Sequence, residues 1–291
     1  MAAGDLSLAI MITANNAATS VIQGLASSFG PVGTAMAAIG VGAIAAGVAA
    51  VKMAADFQTG LTVLSTGAGE SAANLNMVGQ GILKISVDTA TSTQQLLSGM
   101  FMIESGGYHG AAGLQVLTVA AQGARLENAD LGAVAFSLTG LLHDYGMSST
   151  QAAAAMNALI VTEASGKMHM QDLTTSLGSV LPLASTLKVA YPQIGAAIAV
   201  MTNANMTARR ASQNLNFELR ALSAPSATAV KAMESVGLSA QQVSSTLRNQ
   251  GLAATIQLIT DAVGKKFPQG SVEWTNAMKA INGGATGLNV A

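Results

Sequence analysis

In this 291-residue chain the residues best placed to do chemistry lie in "IESGGYHGAAGLQ", residues 103–115. Glu104 is followed there by Ser-Gly-Gly and then by Gly113-Leu114-Gln115. A single carboxyl held in an apolar pocket can protonate a glycosidic oxygen, because burial moves its pKa toward neutrality. The three histidines, His109, His143 and His169, stand far apart, and none sits in an H-E-x-x-H spacing, so no metal site is expected. "HDYG" at 143–146 sets a His beside an Asp, but consecutive residues on a helix do not face each other. Arg209, Arg210 and Arg220 form the densest positive group. They read as a solvated helix face with Glu218 nearby, or as a surface for an acidic partner. "IGVGAIAAG" has neither the Lys-Ser/Thr element nor the preceding strand of a phosphate-binding loop. No cofactor is expected.

The order Glu-Ser-Gly-Gly, then Gly-Leu-Gln, is similar to the opening of a lytic transglycosylase site, which would make the chain a peptidoglycan-cleaving enzyme. Two features speak for helix termination instead. Gly106-Gly107 follows Glu104 closely, and "SSTQAAAAMNALIVTEASG" ends in the same way, with Glu163 just before Gly166. A sugar groove also needs aromatic side chains, and the chain has three Tyr and one Trp. The expectation is therefore a chain that is not an enzyme.

Composition narrows the class further. Half of the residues are hydrophobic, 3% are aromatic and 9% charged, where an ordinary soluble domain carries about 25% charge. Such an exterior suits a chain covered by other subunits, by copies of itself or by lipid. The net charge of −1 and the scattered Lys and Arg give no footprint for sequence-specific nucleic-acid binding. With no Cys, disulfide and thiolate chemistry are excluded. The 15 methionines read mainly as adaptable packing.

From Leu6 to Val51 there is no charged residue. The second half, "GPVGTAMAAIGVGAIAAGVAAV" at 30–51, is long enough to span a bilayer, which takes about 20 residues. Ala and Gly dominate it, so its transfer energy is weak. Ala38, Gly42, Ala46 and Ala50 recur every fourth residue, along a stripe where another backbone can come close, with Ile39, Ile44 and Val48 as the larger side chains. Two readings stay open: a helix buried against protein, or a membrane-inserting segment at 32–51.

Residues 6–12, "LSLAIMI", read as a short strand. Beyond Asn15 apolar residues recur at steps of three and four, as in Leu96, Leu97, Met100, Phe101 and Ile103, and the chain has only five prolines. The fold class is all-α: an array of short helical hairpins preceded by an Ala/Gly-rich apolar helix. Ser92, Ser148 and Ser239 each stand three residues before a Gln, the spacing of a capping box. "YGMSSTQ" and "VGLSAQQ" add a glycine stop, which marks helix corners at Gly146 with Ser148 and at Gly237 with Ser239. Residues 130–161 align without a gap on 172–203, and Asp130 and Asp172 are the expected N-caps of the two units.

The series "AADFQTGLTVLSTGAGES", "TSTQQLLSGMFMIESGGYHGAAGLQ" and "SLGSVLPLASTLKVAYPQIGAAIAVMTNANMTARRASQNLNFELRALSAPS" resembles phage tail tape measure proteins over roughly residues 54–238. The resemblance rests on the order of many weak features. It implies a structural virion protein that occupies the tail lumen, templates tail assembly and length, and assists genome ejection. Implied partners are tail tube subunits, tail assembly chaperones, baseplate or tail tip proteins, further copies of the chain and the host membrane. The implied location is the virion, with the host cell envelope during infection. The expected segments are 1–29, the apolar helix 30–53, the core 54–238 and C-terminal helices 239–291. Tape measures are commonly much longer than this, so the chain reads as a short version or as the N-terminal part of one.

Overall fold

The computed structural model describes residues 44–282, and among the described residues there are helices and connections but no strand. The chain is all-α, as the apolar spacing predicts. The strand expected at 6–12, and the residues Ala38, Ile39 and Gly42, lie outside the described residues. Ile44, Ala46, Val48 and Ala50 fall in the first two turns of α1 (Ile44–Gly67), which runs unbroken across the segment boundary expected at 53/54. Among the described residues no helix is long and apolar enough to cross a membrane.

The chain divides into two compact units, the first reaching Ala121 and the second starting at Gln122. In the first, α1 lies along α3 (Thr93–Ser105), and α2 (Leu75–Thr89) packs on α3 as well. The start of α4 (Gly110–Leu126) completes it. Its core follows from helical spacing. Phe57, Leu61 and Leu64 of α1, Val78 and Ile82 of α2, and Leu96, Met100 and Ile103 of α3 are all buried.

The second unit holds α5 (Leu131–Asp144), α6 (Ala152–Ser165), α7 (Met170–Leu177), α8 (Leu181–Thr186) and α9 (Tyr191–Asn203). These are followed by α10 (Ala208–Ser223), α11 (Ala227–Ser235), α12 (Ala240–Gln250), α13 (Leu252–Lys266) and α14 (Val272–Ile281). Helix α10 is the hub, packed against α7, α8, α9 and α12. Its buried residues Ala211, Leu215, Glu218, Leu219 and Leu222 form one stripe at steps of three and four.

The internal repeat survives at its corners and differs in its helices. Gly146 has φ +61° and Lys188, its counterpart, has φ +58°. At the first corner Met147 N–H donates to Leu142 O at 2.7 Å, and at the second Val189 N–H donates to Ala184 O at 2.9 Å. Both close the same left-handed helix stop. The 14-residue α5, however, is matched by two short helices, α7 and α8. Pro182 accounts for the break. Its ring would collide with the carbonyl four residues back, at Gly178, in a continuous helix. Pro192 sits in the first turn of α9, where a missing N–H is harmless.

Two expectations about caps need correction. Asp130 caps α5 by accepting from Ala133 N–H at 2.9 Å, but Asp172 lies inside the first turn of α7, whose N-cap residue is His169. Of the three Ser–Gln pairs, Ser148–Gln151 closes as a reciprocal box, with Ser148 N–H donating to Gln151 Oε1 at 2.9 Å. At Ser92 and Ser239 the Ser oxygen accepts from the Gln amide N–H, at 3.3 and 3.1 Å. Only that Ser half of the box operates there.

Candidate functional site

Glu104 belongs to the buried stripe of α3 and is 1% exposed. The stripe runs Leu97, Met100, Glu104, which is helical spacing, so the apolar face of α3 itself carries the acid inward. Gly106 and Gly107 then stop the helix, with Gly107 N–H donating to Glu104 O at 2.8 Å and φ +92° at Gly107. Glu104 is thus both the turn before a glycine stop and a core residue.

Its neighbour is Glu70, which no sequence feature singled out. Glu70 follows α1 and is 2% exposed. Its Oε1 accepts from Ser71 N–H and Asn74 Nδ2, both at 2.8 Å, and its Oε2 accepts from Gly110 N–H at 2.6 Å. Gly110 opens α4, so Glu70 caps that helix from 40 residues away. Burial pushes the Glu70 pKa up. Hydrogen bonds from Asn74, Gly110, Glu104 and Ser71 outweigh it, and the carboxyl rests below its usual value. For Glu104 burial leads, and the bond to Glu70 and the Glu70 charge add to it, so the pKa is pushed up to about 8. Neither Glu104 oxygen receives a hydrogen bond from another donor. At neutral pH, therefore, burial and the neighbouring Glu70 charge hold Glu104 in its neutral form beside an ionised Glu70. In this conformation a glycosidic oxygen has no access to it.

In the second unit Glu218 departs from expectation. It is fully buried rather than set among the arginines, both carboxylate oxygens lack partners, and burial pushes its pKa up to about 9. Arg209, Arg210 and Arg220 are exposed, and Arg220 Nε donates to Asn216 Oδ1 at 2.8 Å. Glu163 is also raised, first by burial and then by Glu127, while its Oε1 accepts from Met170 N–H at 3.1 Å, at the start of α7. The three histidines are exposed. His143 Nδ1 and Asp144 Oδ1 do meet, at 3.5 Å, although they are sequence neighbours. Among the described residues no group of three or more His, Cys, Asp or Glu could hold a metal ion. The corner residues Gly146, Ser148, Gly237 and Ser239 serve chain direction, with φ +61° at Gly146 and +80° at Gly237.

Two concavities among the described residues bear on function. One, of about 650 Å³, lies in the first unit between α1 and α3, and Glu104 is not among its lining residues. The other, of about 550 Å³, lies in the second unit among polar residues, including Lys167, Asp172, Asn205 and Arg209. Lys167 Nζ is already engaged by Asn205 Oδ1 at 2.8 Å.

Comparison with known proteins adds a family. The model of the phage-related minor tail protein family matches residues 79–283. The tape measure protein of Pneumococcus phage Dp-1 is 22% identical over 191 residues, which is 66% of this chain and 17% of that protein. The chain therefore aligns with a minor fraction of that relative's length. No solved structure matches.

Proposed function

The chain belongs to the phage-related minor tail protein family, and from that premise we propose that it is a folded segment of a tape measure type protein. As a phage tail protein it is a virion component. The finer reading is that it works in the tail lumen, where tube subunits assemble around it, with tail assembly chaperones and baseplate or tip proteins as its other contacts. The likeness to the Dp-1 tape measure protein carries this reading. The helical build and the 9% charged residues suit a chain enclosed by other subunits.

The geometry favours a role through occupancy and contact. Its most perturbed acids, Glu104 and Glu218, are sealed in helix cores away from any substrate. Length measurement would fall to extended helical chain, since compact hairpins such as α5–α6 advance little per residue. The test is a series of in-frame deletions in the phage gene that encodes this chain, with tail lengths read by electron microscopy. Loss of extended helix shortens tails by about 1.5 Å per deleted residue. Tails of unchanged length across the series would reject the ruler role, and purified tails lacking the chain would reject the virion assignment.

A further inference from the structure

The α1–α3 groove of the first unit is a mainly apolar surface edged by the uncharged Thr59, Ser92, Thr93, Gln94 and Ser98. It is lined from α1 by Met53, Phe57 and Val63 and from α3 by Leu97, Phe101 and Met102. Met53, Val63 and Met102 are 57%, 45% and 40% exposed. Methionines at a rim around aromatic rings make a surface that adapts to an apolar side chain. The one charged lining residue is Asp56, with Lys52 one turn before it at 4.0 Å. An anionic occupant would find no cation in the lining and Asp56 already has Lys52 beside it, so the groove suits a segment free of formal charge.

Such a segment is covalently attached. Residues 6–43 carry no charged residue and include Ile10, Ile12, Val21, Leu25, Phe29 and Ile39. They precede Ile44, the first described residue of α1. Met53, at the near end of the groove, is nine residues further on, or about 14 Å along the helix. Even short pieces of a 38-residue chain can cover that distance, at about 3.3 Å per extended residue. Tethering also gives the segment an effective concentration in the millimolar range, which a separate chain must match to compete. We propose that the α1–α3 groove is the docking site for the chain's own apolar segment, residues 6–43. Docking would cover an exposed Met and Val face that otherwise invites association.

The absence of cysteine makes the test direct. In the full 291-residue chain, Val63→Cys or Met102→Cys at the groove is combined with Val21→Cys, Leu25→Cys or Ile39→Cys in the segment, and a short bis-maleimide is added. The reference carries Val87→Cys instead, on α2, outside the groove lining. The expected result is a cross-link at monomer mass, at least several-fold more abundant with the groove cysteines than with Val87→Cys. Equal yields at both places would overturn the proposal, as would no cross-link from either groove position. Products at dimer mass alone would assign the groove to a second copy and overturn it too. Two groove positions guard against one substitution failing to fold.

Discussion

The Tyr145 hydroxyl donates to the Val189 carbonyl at 2.9 Å, so the corner at Gly146 is bonded to its counterpart at Lys188. Each of the two residues stands next to the left-handed residue of its own corner. The bond thus fixes how one helical hairpin sits on the next. Burial is the main reason the Tyr145 pKa is raised, so the phenol stays a donor throughout the usable pH range. Tyr145→Phe keeps the ring and removes this bond. It should lower stability by about 1 kcal/mol, read as a drop in Tm of about 2–4 °C by circular dichroism.

Helices α6 and α9 touch at a point that tolerates no added atom. A Cβ at Gly195 would lie 2.2 Å from Thr162 Oγ1. That oxygen donates to Ala158 O at 2.8 Å and accepts from the Tyr191 hydroxyl at 3.2 Å, so it is not free to swing away. Gly195→Ala should destabilise by about 1–3 kcal/mol. Adding Thr162→Ala should recover part of that loss, and simple additivity in urea unfolding would show that the two helices do not meet there.

Stability should fall as pH rises, because two buried acids hold their protons. An acid raised on folding contributes fully below its unfolded value and loses that contribution as pH climbs through its folded value. For Glu104 the window runs from about 4.5 to about 8, and for Glu218 from about 4.5 to about 9. Each group gives a slope of at most about 1.4 kcal/mol per pH unit. Glu70, lowered on folding, acts in the opposite sense and loses its contribution as pH falls below the ordinary carboxylate range. Glu104→Gln retains a donor toward Glu70 without a titrating proton, so urea unfolding between pH 6 and pH 8 should be flatter than for the parent. A slope equal to the parent's would mean that Glu104 ionises freely.

Glu218 separates stability from the acid pair. Neither of its oxygens has a partner, so an apolar side chain of similar volume relieves a desolvated polar group. Glu218→Met should raise Tm at pH 7 by several degrees, and more at pH 8.5 than at pH 6. A lower Tm at every pH would show that the carboxyl is bonded after all.

Lys188 holds φ +58° at an exposed corner where glycine would be unstrained. Lys188→Gly should stabilise the chain by up to about 1 kcal/mol, whereas Gly146→Ala at the equivalent corner should cost about 1 kcal/mol. Paired thermal melts of the two variants check the signs.

What the sequence made legible was local. Gly-apolar-Ser corners at 146 and 237 and the Asp130 cap depend on residues within a few positions, and backbone chemistry alone specifies them. Asp172 shares only the following Leu with Asp130, and α7 already begins at Met170, whose N–H is taken by Glu163 from the preceding helix. Glu70 was invisible because its local bonds to Ser71 and Asn74 are ordinary turn chemistry, while what marks it out, Gly110 and Glu104, is brought to it only by folding. Glu218 and Glu104 had a readable cue that charge obscured. Both fall on the i, i+3, i+4 stripe of their helices, at Leu215–Glu218–Leu222 and Leu97–Met100–Glu104. An acid on that stripe is a buried acid, whatever cations stand beside it in the sequence.

The corner repeat has a mechanical consequence. The α5–α6 and α7–α9 hairpins are each closed by a stop of their own, and one side-chain hydrogen bond links the two stops. A chain pulled lengthwise from one end would also have to part α5 from α7 and α6 from α9, so the two hairpins resist together. Threading through a narrow conduit would therefore meet one shared barrier rather than a separate one for each hairpin.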